Sequence, residues 1–442
     1  MPYPLLTDPR TGIVRRLTRP PIPAHFPAGF ELIASELGDT SRFCPWPADS
    51  AGAGYAFAQP EAALGAALGE AAERYCGNLV PDGLVRASYG ELCARGVRAL
   101  DPESLALYAP AQYAEPDFPL AEFTRELTVD WAQGADLADG RSVLVPASLV
   151  WVSYVSADVE QRGPRTNPVI QAGLAAGPTL RDACLGALGE IVERDAMTLG
   201  WHGRAGVRPL TPEPWLEEFA RGPGAHLDTR FLSFPAVFGM PVAGALVRDA
   251  VTGHLTLGVA ARSDTGDAAL KAYGEALQLQ LFAADYDDPD GPYMRAAADP
   301  RSPLKPWRRD RGYADAYRHD LRDVVDYGCH LQLYLDPRAQ AAFEAELRIA
   351  LTEGPQSRPE PAASADGADL LEAVVDRMAS AGHRPVVVDV TTPDVRAAGL
   401  HVVRVLVPGL YSNTAAGLPF LGGTRLADSL AGAPRRSLPL PH

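Results

Sequence analysis

The chain has 442 residues, 47% of them apolar, which suits a folded globular protein and excludes a mainly disordered one. Two or three subdomains are expected, because a single core stops growing near ~250–300 residues. Forty basic against 55 acidic residues leave a net charge of −15, which argues against nucleic acid or an anionic membrane as the main partner.

Along the chain, residues 1–55 read as an extended N-terminal segment with short strands, rich in proline as in Arg19-Pro20-Pro21-Ile22-Pro23. Its start lacks the apolar run of a signal peptide, which reads as a cytoplasmic protein. A main domain is expected over 56–430. Its first helix runs from Pro60 to about Leu79, with alanine and leucine at helical spacing after a proline start. Ser142 to Ser156 is β-branched and aromatic, hence strand-like; it is broken by Pro146 and too short to cross a bilayer. Thr179 to Trp201 reads as a second helix, with Thr179 as N-cap and Asp182 three residues on. Leu255 to Ala261 reads as a strand, Ala268 to Phe282 as a third helix, and residues 353–367 as a mobile loop. Pro385 to Thr391 and His401 to Val407 read as buried strands. The proline-rich tail 431–442 is expected to be extended and, on sequence alone, to fray. Strands alternating with helices make this a mixed α/β fold.

The five cysteines form no C-x-x-C pair, which points to free thiols in place of disulfides or a zinc site. Cys329 and His330 read as neighbours on a strand, facing opposite sides, and so do not form a nucleophile–base pair. No G-x-x-x-x-G-K-[ST] occurs, which excludes a P-loop. Only Lys271 and Lys305 are lysines, so a bound phosphate would meet arginine forks or metal.

Ala67-Leu68-Gly69-Glu70-Ala71-Ala72-Glu73-Arg74 matches Ala187-Leu188-Gly189-Glu190-Ile191-Val192-Glu193-Arg194 in six of eight positions. Tyr273-Gly274-Glu275-Ala276-Leu277-Gln278 is a looser copy. Residues three apart share a helix face, so Glu70 projects with Glu73 and Glu190 with Glu193. Carboxylate pairs on largely apolar helices are costly unless cations compensate them, and Arg74 and Arg194 do so only in part. If the helices face each other, Mg²⁺ with phosphate oxygens would satisfy four converging carboxylates. The plainer reading, a solvated face of Glu–Arg pairs, is weakened by the duplication.

These residues resemble the YcaO superfamily, in its azoline-forming cyclodehydratase branch. Gly-x-Ala-Ala-Gly-x-Thr leading into Glu-x-x-Glu-Arg-Asp-Ala (Gly173 to Ala196) carries the resemblance. So, in order, do Asp8 to Arg15, the first E-x-x-E-R helix, Glu275-x-x-Gln278, Val402 to Leu410 and the proline-rich C-terminus. The resemblance implies internally repeated E-x-x-E-R helices around a nucleotide site, with 56–430 as the catalytic domain. It implies an ATP- and Mg²⁺-dependent enzyme of ribosomal-peptide, and hence antibiotic, biosynthesis. A Cys, Ser or Thr side chain of the precursor peptide attacks the preceding carbonyl, and loss of phosphate leaves a thiazoline or oxazoline. By position, Glu70, Glu73, Glu190 and Glu193 would hold Mg²⁺, and Arg74, Asp182, Arg194, Glu275 and Gln278 would hold the nucleotide. The His442 carboxylate would orient a proton or the substrate amide at the site. A leader-peptide-binding protein is the implied partner, and a homodimer one assembly.

Some family positions differ. Gly52-Ala53-Gly54 replaces Gly-Lys-Gly, Gln171-Ala172-Gly173 replaces Ser-Asn-Gly, Gln280 replaces an arginine, and only Pro439 and Pro441 remain of Pro-x-Pro-x-Pro. Two alternatives therefore stand beside cyclodehydration: a non-catalytic scaffold of a peptide-modifying complex, and thioamide or amidine formation at the same site.

Overall fold

The computed structural model describes residues 3–41, 44, 50–156, 163–353, 367–412 and 415–442. It is a mixed α/β fold with three antiparallel sheets. The first has order β1-β2-β3, from Val14–Thr18, Phe30–Leu37 and Ala51–Phe57. The second joins β4 (Val85–Ala87), β5 (Val129–Asp136), β12 (Val386–Asp389), β13 (His401–Leu406) and β7 (Leu174–Gly177), with β6 (Ser142–Pro146) pairing β5. The third has order β11-β10-β9-β8, from Leu255–Ala261, Met240–Asp249, Leu227–Val237 and Arg208–Pro209.

One edge strand of each sheet leads into a long helix. α1 (Pro60–Asn78) follows β3, α2 (Leu180–Met197) follows β7, and α3 (Thr265–Asp287) follows β11. Each helix start has a local cause. Pro60 occupies the first turn of α1, where its missing N–H costs nothing. Thr179 Oγ1 accepts from Asp182 N–H at the start of α2, and Asp264 accepts from Gly266 and Asp267 at the start of α3. Strand and helix pack closely: a Cβ on Gly54 would sit 2.2 Å from the Ala67 nitrogen, and one on Gly258 2.0 Å from the Ala272 oxygen.

α2 is the central helix. Ala187, Leu188, Ile191, Val192 and Ala196 are all buried, each large side chain contributing about 1.5–3 kcal/mol. Glu193 and Asp195 are buried on the same helix, an expense that calls for local partners. Asp195 has them in Arg425 and the Tyr411 N–H.

Two sequence expectations need correction. The strand over Ser142 to Ser156 stops at Pro146, after which the chain turns through short 3₁₀ segments, Ala147–Leu149 and Val152–Ser156. Cys329 and His330 lie on a short helix, α4 (Tyr327–Leu333), started by Asp326 capping the Gly328 N–H at 2.6 Å. The second helix leaves α-geometry after Met197 and continues to His202 as a π-turn. Residues 354–366, most of the expected loop, lie outside the described residues.

Candidate active site

An edge strand carries N–H groups that no neighbouring strand accepts. On β3 and β11, and at Gly173 just before β7, glutamates accept such groups. Glu70 accepts from Ala53 at 2.9 Å, Glu190 from Gly173 at 2.9 Å and Glu275 from Val259 at 3.1 Å. The second glutamate of α1 and of α2 crosses to the next strand: Glu73 accepts from Ala176 at 2.7 Å and Glu193 from Ala261 at 3.2 Å. α3 in turn lies against β3, where Tyr55 donates to the Lys271 carbonyl at 2.8 Å. Five carboxylates from three helices thus line a common centre, each oriented by main chain through one oxygen.

Their charge is confined. Burial and the neighbouring Glu70 push the Glu73 carboxyl up to about 8. Burial, together with Glu275 and Glu190, pushes Glu193 up to about 8 against the opposing pull of Arg194. Burial also raises Glu190 and Glu275. Glu190 acts on both halves of the group, since its charge reaches Glu73 on one side and Glu193 on the other.

The cations are placed around these acids. Arg74 donates to Glu70 at 2.8 Å and to the Gln171 side chain. Arg194 lies 3.8 Å from Glu193, over the Tyr327 ring, and meets the His442 imidazole. Three further groups escaped the motif reading. Lys271 packs its Nζ 4.0 Å from the centre of the Tyr55 ring, within the field of Glu275, Glu193 and Glu70, and burial lowers its pKa. Arg262 acts on Glu193 and Lys271. Arg404 is fully buried and donates to the carbonyls of Val150, Ile170, Gln171 and Ala172, which fixes the loop entering Gly173. Lys271 had a signal: one of two lysines, it precedes Glu275 by one helical turn.

Other expected residues sit as follows. Asp182 remains in the cap of α2, accepting from the Thr179 hydroxyl at 2.6 Å, about 12 Å along the axis from Glu190. Gln278 is half-buried, one turn beyond Glu275. Gln280, where an arginine was expected, is buried and donates to Val247 and Thr256. The tail does not fray. Trp201 holds the Leu438 carbonyl at 2.7 Å, Tyr334 that of Pro439 at 2.5 Å, and Leu257 N–H that of Pro441 at 2.6 Å. His442 is buried, with its main-chain oxygen against the His330 ring.

The donor set fits a hard divalent cation. Each carboxylate spends one oxygen on an N–H, and like charges are crowded where a cation would relieve them. Among the described residues no three acidic, histidine or cysteine side chains come together closely enough to hold a metal ion by themselves. Mg²⁺ needs no such cage, since it is commonly held by one or two carboxylates with waters and phosphate oxygens completing the sphere.

Fold and site together define a class: a mixed α/β protein whose partly buried acids and arginines converge from three strand–helix pairs. The family model described as YcaO cyclodehydratase, ATP- and Mg²⁺-binding, matches residues 54–411, and the chain belongs to that family. An uncharacterised protein in the tfuA 3′ region of Rhizobium leguminosarum bv. trifolii is 26% identical over 84% of this chain and 80% of its own. Among solved structures, a heterocyclase in complex with substrate and cofactor covers all of this chain at TM-score 0.67 and 22% identity. The chain spans about half of that protein, 56% of its length. YcaO from Methanopyrus kandleri, bound with AMPPCP and Mg²⁺, aligns at TM-score 0.57 and 20% identity, over 90% of this chain and 86% of its own. The Escherichia coli microcin synthetase McbBCD complex with pro-MccB17 bound aligns at TM-score 0.55 and 13% identity, over 96% of each chain. These likenesses establish the fold. No helix among the described residues is long and apolar enough to cross a membrane. The homodimer finds no support.

Proposed function

We propose that this chain uses ATP and Mg²⁺ to cyclodehydrate Cys, Ser or Thr residues of a ribosomally made precursor peptide, giving thiazoline or oxazoline. A separate leader-peptide-binding protein presents the substrate. The observation that carries the reading is the group formed by buried Glu193 and half-buried Glu70, Glu73, Glu190 and Glu275, each aimed by one main-chain N–H. Membership of an ATP- and Mg²⁺-binding family gives that group its cargo. The microcin synthetase complex, which has a precursor bound, supports the peptide and partner.

Mg²⁺-ATP would be held by Glu70, Glu73, Glu190 and Glu193, and when bound it supplies the phosphoryl group that turns the amide oxygen into a leaving group. The chain's own residues do the rest. The strand N–H groups hold the carboxylates in place, so little reorganisation is needed when charge arrives. Arg74 and Arg194 neutralise phosphate charge from opposite sides of the glutamates. Burial excludes water that would compete for the activated amide. Arg404 keeps the Gly173 turn rigid through four carbonyls.

The test is incubation of the purified chain with Mg²⁺-ATP, its candidate partner and a precursor peptide, read by mass spectrometry. Loss of one water per ring with matching phosphate release supports the reading. Exchange of oxygen for sulfur would assign thioamide formation, and an unchanged peptide with no nucleotide binding would assign a scaffold.

A further inference from the structure

Residues of the C-terminal tail complete the edge of β11 that no other described strand pairs. Leu257, Val259 and Ala261, alternate residues of that strand, turn their N–H groups the same way. Val259 serves Glu275, Ala261 serves Glu193, and Leu257 serves the Pro441 carbonyl at 2.6 Å. His442 then bends its ring back onto the same residue. Its Nδ1 lies 3.0 Å from the Leu257 carbonyl oxygen. A carbonyl only accepts, so Nδ1 carries the proton and Nε2 presents a lone pair. Arg194 Nη1 meets that lone pair. The imidazole is buried and stands edge-on to Tyr327, the ring that also underlies the Arg194 guanidinium.

We propose that the His442 imidazole is a positioning residue for Arg194, which it keeps from collapsing onto Glu193 so that the remaining N–H donors stay available to nucleotide phosphate. This rests on the nucleotide-site reading above. A neutral acceptor suits the task. A carboxylate at this point would cancel the charge of Arg194, whereas an apolar side chain would let the guanidinium tighten its loose 3.8 Å ion pair with Glu193 into a hydrogen-bonded one. The role belongs to the His442 side chain and is separate from its main-chain oxygen, which faces the His330 ring.

Calorimetry with a non-hydrolysable ATP analogue and Mg²⁺ on the full chain tests this. His442→Phe keeps the ring volume and the Pro441 contact but lacks the acceptor. It should weaken binding about 10-fold, the worth of one charge-assisted hydrogen bond. His442→Gln, whose amide oxygen reaches as far as Nε2, should restore binding to within about 3-fold of the parent. Equal loss in the Phe and Gln variants would make the tail merely structural and overturn the proposal. Parent-like binding in His442→Phe, with Arg194→Met weakened, would overturn it while leaving the nucleotide site standing. Parent-like binding in Arg194→Met would remove the site reading and the proposal together.

Discussion

Glu73 leaves its own strand–helix pair and accepts the N–H of Ala176, on the strand that leads into the next helix, at 2.7 Å. Glu193 repeats the step toward Ala261. These crossings bind the three pairs into one site, because a carboxylate on each of α1 and α2 completes the edge of its neighbour's strand. The same bonds place acids in a partly buried centre, where burial and neighbouring carboxylates push Glu73 and Glu193 up to about 8.

Replacing Glu190 or Glu193 by glutamine should abolish ring formation, by about 100-fold or more, with little effect on folding. The amide keeps volume and an acceptor for the Gly173 or Ala261 N–H, while losing the charge that a divalent cation needs. Mass spectrometry of the peptide reads the activity, and unfolding free energies from denaturant titration should stay within about 0.5 kcal/mol of the parent.

Arg404→Met should cost about 3 kcal/mol or more, since four buried carbonyls lose their donor at once. Arg404→Lys should recover only part, because one ammonium cannot reproduce the planar fork. Urea unfolding measures both. Nucleotide affinity should fall in parallel with stability, as Gln171 and Gly173 stand on the loop that Arg404 holds.

Gly258→Ala should separate β11 from α3. Its new Cβ would lie 2.0 Å from the Ala272 oxygen and 2.5 Å from the Ala276 nitrogen, both main chain. A loss of about 1–3 kcal/mol is expected from overpacking. Val259 then moves away from Glu275, so Mg²⁺-nucleotide binding should weaken even at temperatures where the variant is fully folded.

Stability should decline on the acid side through buried histidines. Burial lowers His202 from 6.5 to about 4, and its Nδ1 donates to the Arg436 carbonyl at 2.7 Å. Between those values the unfolded chain binds the proton and the fold does not, so stability is complete above pH 6.5 and is lost as pH falls toward 4. The contribution of this one group is about 3 kcal/mol. His202→Asn, whose amide nitrogen can still donate to Arg436, should flatten that limb in denaturant titrations at pH 4.5–7 (about 0.5-unit steps).

Helices α1 to α3 and their acids were legible because E-x-x-E spacing, capping residues and small-residue packing are local. Tail docking was implied by the resemblance alone and not by the residues: the Leu438, Pro439 and Pro441 carbonyls find Trp201, Tyr334 and Leu257 more than 100 positions away. Arg404 looked like one more residue of a buried strand, since nothing nearby in sequence announces the carbonyls it serves. Asp182 stands at a position where the family usually has glutamate and also at a helix cap, and spacing alone does not separate the two. The Ser142 to Ser156 run shows the limit of composition, because Pro146 ends the ladder that β-branched residues had suggested.

The most direct measurement is calorimetric titration of the full chain with a non-hydrolysable ATP analogue, with and without Mg²⁺, alongside Glu190→Gln. The account predicts binding that requires Mg²⁺ and is lost in the variant. Binding of equal strength without the metal, or untouched by the substitution, would contradict a carboxylate ring built to hold metal and triphosphate.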